Sequence, residues 1–266
     1  MSPRLDAELA ARGLARSRSH AAQLIAAGLV SVDGRAVVKA SAQVTETQVL
    51  DVAGDDHYVS RAAHKLLSAL DAFPIEVEGR VALDLGASTG GFTQVLRERG
   101  ARPVMAVDVG HGQLSTVVAS DPDVVSVEGY NVRYMTADSL ASATGVAERP
   151  RIVTGDLSFI SLAHVLPAIA ASAAPDAEIV LLVKPQFEAG RTAVKGGLVT
   201  DPAVRSDAVH GVLWAAWDVG LRTAGIVSSP VVGTHGNQEY VAWFSAEHGT
   251  DPSEWESTVT RLTGSR

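Results

Sequence analysis

Four polar side chains stand where apolar neighbours make polarity costly. Lys65 lies in Arg61-Ala62-Ala63-His64-Lys65-Leu66, an apparent helix. Asp156 follows an apolar segment and opens Asp156-Leu157-Ser158-Phe159-Ile160. Lys184 closes the run Ile179-Val180-Leu181-Leu182-Val183, and Glu239 leads into Tyr240-Val241-Ala242-Trp243-Phe244. A polar group withdrawn from water needs a partner, and two lysines with two carboxylates can supply one another. Asp156 and Lys184 end neighbouring strands at one edge, so they can meet. Such a pair serves equally as a structural salt bridge or as a site that moves a proton.

A second constellation concerns a ligand. The run Val81-Ala82-Leu83-Asp84-Leu85 ends in Gly86-Ala87-Ser88-Thr89-Gly90-Gly91, and a helix begins near Phe92. A strand that delivers a tight turn to a helix N-terminus presents free N–H groups to a nucleotide-like ligand. Ser88 occupies the position where a dinucleotide fingerprint has its second glycine. A phosphate-cradling loop would end in Gly-Lys-Ser/Thr, and no such lysine is present. A strand–helix turn without a ligand is the competing reading. Asp108 ends the next strand, beside Val109, where a carboxylate can accept the hydroxyls of a ribose; Asn131 follows the third strand and can meet an adenine.

The elements that position these residues alternate. Strands are expected at 81–85, 103–108, 124–127, 152–155, 178–183, 223–228 and 239–245, with helices at 91–99, 113–118, 162–171 and 202–219. This is the rhythm of an α/β fold with an open, mostly parallel seven-stranded sheet, whose ligands sit at the carboxyl ends of the strands. Residues 186–198, glycine-rich with Arg191 and Lys195, read as a mobile loop. The chain has no cysteine, so neither disulfides nor thiolate metal sites arise. Its eight histidines are scattered, and no metal site is expected. No apolar run approaches the ~18 residues of a membrane span.

Charge divides the chain. The net charge is −8, yet residues 1–45 hold Arg4, Arg12, Arg16, Arg18, Arg35 and Lys39 against Asp6, Glu8 and Asp33, a local +3. Where the cations lie matters more than their total. In this basic stretch Leu5, Leu9 and Leu14 mark a helix stopping near Gly13, and Ser17 caps a second helix over 18–27 before Gly28. The segments 29–32 and 36–39 flank Asp33-Gly34 as a hairpin, and a third strand covers 48–52. The framework from Arg4 to Gly34 resembles the αL RNA-binding domain of ribosomal and RNA-modifying proteins. That resemblance implies that Arg4, Arg16, Arg18 and Lys39 face phosphates, contacts that position RNA without reading its sequence.

The turn Asp84 to Gly90 resembles the first motif, D-x-G-x-x-x-G, of S-adenosylmethionine-dependent methyltransferases. Lys65, Asp156, Lys184 and Glu239, in that order, resemble the K-D-K-E tetrad of FtsJ-type ribose 2′-O-methyltransferases. Ser60 to Leu66, Leu83 to Thr93, Asp156 to Leu162, Val183 to Glu188 and Gly236 to Tyr240 together resemble the TlyA family of rRNA 2′-O-methyltransferases, also labelled hemolysins. The resemblance implies a small α+β RNA-binding domain over 1–55, a linker over 56–60, and a Rossmann-like class I methyltransferase domain over 61–266. It implies S-adenosylmethionine as cofactor, held by Asp84, Gly86, Ala87, Ser88, Thr89, Gly90, Phe92, Asp108, Val109, Asn131 and Asp156. Family members methylate cytidine ribose in large-subunit rRNA. Residues before Arg4 and a tail after Trp243 match the longer type, which also modifies small-subunit rRNA.

A ribose 2′-hydroxyl is a weak acid whose proton must leave as its oxygen attacks the methyl. A lysine accepts that proton only where burial or a nearby cation disfavours its ammonium form. By the resemblance, Lys184 is the base or hydroxyl-orienting residue and Lys65 the neighbouring cation. Asp156 then holds Lys184, and Glu239 orients the lysines. Phe159 can pack on an extruded nucleotide, or fill a core beside Ile160. The expected partner is rRNA in ribosomal subunits, with no membrane and no stable protein partner, in the cytoplasm. A membrane-lytic protein would need a spanning segment or a strongly basic amphipathic helix, and neither is visible. An RNA-binding module alone would leave the four polar residues unexplained, and Ser88 opposes a hydride-transfer enzyme.

Overall fold

The computed structural model describes residues 3–12, 14, 15, 17–26, 28–37, 39–45, 47–52, 57–190, 194, 196–233 and 236–264. Gly13, Arg16, Asp56, Arg191 and Lys195 lie outside the described residues. The chain divides into two units, Met1–His57 and Tyr58–Arg266.

In the first unit, α1 (Leu5–Ala11) and α2 (Arg18–Ala26) pack with a three-stranded antiparallel sheet of β1 (Val30–Val32), β2 (Arg35–Ala36) and β3 (Leu50–Val52), in the order β2-β1-β3. The turn between β1 and β2 has Asp33 and Gly34 at φ +49° and +76°, the pair of left-handed residues that a tight hairpin requires. Leu5, Leu9, Ile25 and Val30 form its small core. Arg12 is structural: it pairs with Glu8 at 2.8 Å and donates to the carbonyls of Gln48 and Thr45.

The second unit is built on a seven-stranded sheet. After α3 (Ala63–Ala72) the strands are β4 (Ala82–Leu85), β5 (Val104–Val107), β6 (Val124–Val127), β7 (Ile152–Gly155), β8 (Glu178–Val183), β9 (Thr223–Ser228) and β10 (Tyr240–Phe244). Their order is β6-β5-β4-β7-β8-β10-β9, with β10 antiparallel to both neighbours and the others parallel. The central strands are buried on both faces, as a sheet covered by helices demands. One core contains Leu83, Leu85, Val153 and Leu181; the other contains Ala82, Ile152, Val180 and Leu182, so alternate residues serve opposite faces. The helices are α4 (Gly91–Glu98), α5 (Thr116–Ala119), α6 (Ala137–Thr144), α7 (Leu166–Ser172), α8 (Pro185–Glu188), α9 (Pro202–Asp218) and α10 (Glu256–Thr263).

Three helices depart from the sequence expectation. α6 is an Ala/Ser-rich segment whose start is a capping box between Thr136 and Ser139, with serine where glutamate is the usual signal. α8 is a single turn with Pro185 at its start, in the segment read as a loop. α10, capped by Gly264 at φ +71°, lies in the tail after β10.

From β4 the chain winds outward through β5 and β6, then returns to the other side of β4 for β7 and β8. The strand order therefore reverses between β4 and β7, the point at which open sheets bind ligands.

Candidate active site

A cavity of about 270 Å³ opens at that reversal, lined by Gly86–Thr89 on one side and by Lys65, Asp156, Ser158, Lys184 and Glu239 on the other. The four polar residues meet here. Asp156, just past β7, lies between the lysines: Lys65 Nζ donates to its Oδ2 at 3.1 Å, and Lys184 Nζ lies 2.6 Å from its Oδ1. Lys65 also donates to Glu239 Oε2 at 2.8 Å, and Lys184 donates to Ser158 Oγ at 2.8 Å. The Lys184–Asp156 contact is an ion pair without hydrogen-bond alignment, and Asp156 Oδ1 is buried with no aligned donor.

The two cations differ in their compensation. Lys65 faces two carboxylates, whereas Lys184 faces one carboxylate and a neutral hydroxyl. Their side chains are 9% and 8% exposed, so water offers little alternative. Lys65 stands in the first turn of α3; Lys184 directly follows β8 as the N-cap of α8.

The expected cofactor residues separate by depth. Ala87, Ser88, Thr89 and Phe92 line the cavity with Gly86. Asp108 follows β5; its Oδ2 accepts Ser88 N at 2.8 Å and its Oδ1 accepts Gly110 N at 2.7 Å, which fixes the turn and leaves lone pairs for further donors. Val109 is 61% exposed. Asn131 is exposed and its side chain accepts Arg133 N, capping a short turn. Asp84 departs from expectation. It is buried beneath the turn, accepting the hydroxyls of Thr93 at 2.6 Å and Thr154 at 3.2 Å. Burial pushes its carboxyl up to about 6, against those hydrogen bonds. The residue braces the turn from below; like Gly90, Asp108, Val109 and Asn131, it is not part of the cavity lining.

Gly90, expected to hold the cofactor, has another role. At φ +95° a β-carbon there would lie 2.8 Å from Leu114 and 3.0 Å from Val118, so the chain's own side chains occupy its free face. A β-carbon on Gly86 would press on Leu157 at 3.0 Å. The turn is shaped by close packing first.

Phe159 is not a core residue. It is 91% exposed, and its backbone is left-handed at φ +64°. That conformation costs a residue bearing a β-carbon about 1–2 kcal/mol. Its ring lies 5.3 Å from that of Phe187, tilted by 46°. Two residues near the cavity were not singled out from sequence. Ser158 receives Lys184, and Glu188 at the end of α8 accepts Ser161 Oγ at 2.6 Å and Leu162 N at 2.9 Å. Burial pushes the Glu188 carboxyl up, and those two hydrogen bonds oppose it.

In the first unit, Arg4 and Arg18 are exposed, and Asp6 holds both. Arg4 meets it through Nε and Nη2, each at 3.0 Å, and Arg18 Nη2 lies 3.3 Å away. The Arg4 hydrogen bond is the largest cause holding the Asp6 carboxyl below its ordinary value; Arg18 adds to it and burial opposes. Lys39 is exposed.

The carboxylates suit S-adenosylmethionine, one for a ribose and one for a sulfur cation. The turn is not the row of free N–H groups expected from sequence, because those of Gly86, Ala87, Ser88 and Gly90 are bonded within the chain. Asp156 Oδ1, lacking an aligned donor, is a polar atom that a cationic ligand can satisfy.

Residues 58–246 match the FtsJ-like methyltransferase family, and residues 3–50 match the S4 domain. A 16S/23S rRNA (cytidine-2′-O)-methyltransferase TlyA of Mycobacterium tuberculosis is 49% identical over 92% of this chain and 90% of that protein. A 23S rRNA (cytidine-2′-O)-methyltransferase TlyA of Campylobacter jejuni is 34% identical over 70% of each chain. A solved structure from Streptococcus thermophilus, described as a candidate hemolysin, superimposes with a TM-score of 0.76 at 34% identity, covering 99% of this chain and 96% of that one. Fold and family match define a Rossmann-like methyltransferase of the S-adenosylmethionine-dependent class, preceded by an S4 RNA-binding domain. Within that class, the chain belongs to the TlyA family. Among the described residues no helix is long and apolar enough to cross a membrane.

Proposed function

We propose that this chain methylates the ribose 2′-hydroxyl of a cytidine in large-subunit rRNA, and of another in small-subunit rRNA. The observation that carries the chemistry is Asp156, which holds one lysine on each carboxylate oxygen at the strand-order reversal. The small-subunit activity follows from the greater identity to the relative named for both 16S and 23S rRNA.

S-adenosylmethionine, when bound, supplies an electrophilic methyl group on a positively charged sulfur. The turn Gly86 to Thr89 and Phe92 would hold it, Gly90 would shape that turn, Asp108 would accept its ribose hydroxyls, and Asp156 would face its charge. Asp84 acts beneath this site, through Thr93 and Thr154. Val109 and Asn131, both exposed and outside the cavity lining, would meet it only at its outer edge.

Lys184 takes the 2′-hydroxyl proton at Nζ, since its partners are one carboxylate and one hydroxyl. Lys65, between Asp156 and Glu239, keeps both carboxylates in position. Holding oxygen and methyl in line contributes much of the rate. Phe159 offers an exposed ring for the extruded nucleotide, because a ribose inside a duplex is out of reach. Arg4, Arg16, Arg18 and Lys39 contact phosphates through the domain over 1–55, and 56–60 serves as linker to the methyltransferase domain over 61–266. Ribosomal subunits as substrate imply the cytoplasm.

The test is transfer of labelled methyl from S-adenosylmethionine to isolated large and small subunits, followed by nuclease digestion and mass spectrometry. The expected product is 2′-O-methylcytidine from both subunits. A methyl on a base, or none on either subunit, overturns the reading; label on the large subunit alone overturns the dual specificity.

A further inference from the structure

Between Asp156 and Leu162 the chain makes an excursion that local preferences oppose. Phe159 takes φ +64° and exposes 91% of its surface. Side chains with a β-carbon avoid that backbone region, and exposing an aromatic ring to water costs free energy. Both preferences pull toward a relaxed loop with the ring tucked in. What opposes them comes from one short element, the turn Pro185–Glu188 and the lysine that precedes it. Lys184 donates to Ser158 Oγ at 2.8 Å. The Phe187 ring lies against Phe159 at 5.3 Å. Glu188 grips the far end of the loop with both oxygens, Oε2 on Ser161 Oγ at 2.6 Å and Oε1 on Leu162 N at 2.9 Å. Asp156 fixes the near end through the lysines. The loop is therefore anchored at both ends, and the far anchor is a carboxylate that lies outside the cavity lining.

We propose that Glu188 is a positioning residue which holds the loop 157–161 so that Phe159 stays presented and Ser158 stays under Lys184. This rests on the reading that Phe159 meets the target nucleotide. Glu188 touches neither substrate nor cofactor; it acts through Ser161 and Leu162.

Two independent measurements test it on the full chain. The first is single-turnover methylation of ribosomal subunits at saturating S-adenosylmethionine. Glu188→Ala should slow transfer at least roughly tenfold with cofactor affinity unchanged, and Glu188→Gln, which keeps an acceptor for Leu162 N, should recover most of that loss. With Phe159→Ala already present, Glu188→Ala should cost much less, because residues acting as one unit are non-additive. The second is cleavage after Phe159 by chymotrypsin under native conditions, located by mass spectrometry. Loosening the loop should raise that cleavage at least roughly tenfold in Glu188→Ala, since proteolysis follows local opening. If Glu188→Ala destabilises the whole chain, Ser161→Ala removes one arm of the grip and should give the same two changes in smaller measure. Wild-type transfer rates with wild-type cleavage in both variants overturn the proposal, as does full additivity with Phe159→Ala. If the wild-type chain methylates neither subunit while Glu188→Ala still raises cleavage at Phe159, the proposed substrate fails and the loop anchor stands.

Discussion

Asp6 and Asp156 each hold two cations, in opposite surroundings. Around Asp6 the carboxylate is nearly buried, at 8% side-chain exposure, while Arg4 and Arg18 are 51% and 62% exposed. Around Asp156 all three partners are largely buried: the lysine side chains are 9% and 8% exposed and the carboxylate 16%. A guanidinium on the surface is always charged and offers a fork of donors, so a buried acid beneath it fixes where that fork points without removing it from phosphate. An amine in a cavity is a point charge with a proton to exchange, and its surroundings decide whether it can do so. On the proposed function, one carboxylate organises binding in the first unit and the other organises chemistry in the second. Both acids are largely buried, so the distinction lies in whether the cations are left open to solvent.

Lys184 gives the largest expected effect. Lys184→Ala should cut methyl transfer at least roughly a hundredfold, the scale of acid–base residues, with cofactor affinity near normal. Lys184→Arg should not rescue it, because a guanidinium cannot give up its proton at neutral pH. Single-turnover transfer with a parallel calorimetric titration of cofactor reads both. Rescue by arginine would mean that Lys184 serves as a fixed charge, and the contrast with the Asp6 cluster would collapse.

Reversing the exposed cations is expected to act on binding alone. Arg4, Arg18 and Lys39 changed together to Glu should weaken subunit binding at least roughly tenfold and flatten its dependence on log salt by about 2–3, since each lost phosphate contact releases fewer counterions. Cofactor affinity should not move. Subunit binding across a salt series reads the slope. An unchanged slope would remove these three residues from the RNA contact.

Much of this was legible in sequence because it follows from runs of neighbouring residues. The apolar strands, the Asp33-Gly34 hairpin turn and the turn after Leu85 are local patterns, and the lone polar residues at strand ends announce a shared edge. What escaped was convergence across the chain. Glu188 reaches Ser161 only because β7 and β8 are parallel neighbours whose C-terminal ends lie side by side. Asp6 reads as one acid in a basic stretch until α1 and α2 bring two arginines to it. The exposure of Phe159 was equally hidden, because an aromatic beside Ile160 has the spacing of a core residue. Asp84, quoted for the cofactor, turned out to lie beneath the turn, since nothing in D-x-G says which way the carboxylate faces.

Asp84 sharpens the comparison as a carboxylate with no cation partner among the described residues. Two threonine hydroxyls are its side-chain partners, and burial raises its carboxyl from 3.8 to about 6. The folded state thus binds this proton more tightly than the unfolded chain. The resulting cost to stability is complete above about pH 6 and fades as pH falls through 6 toward 3.8. At its full extent it is about 3 kcal/mol, from a shift of about two units at 1.36 kcal/mol each. Asp84→Asn keeps the shape and removes the titration. Between pH 5 and pH 8 the variant should therefore gain about 1–2 kcal/mol relative to wild type, the part of the cost that develops in that window. Urea denaturation at the two pH values measures it. If the difference between variant and wild type is the same at both, the acid under the turn is stabilised by something other than its two hydroxyl partners, and a buried carboxylate without a cation is not the third case it is taken to be.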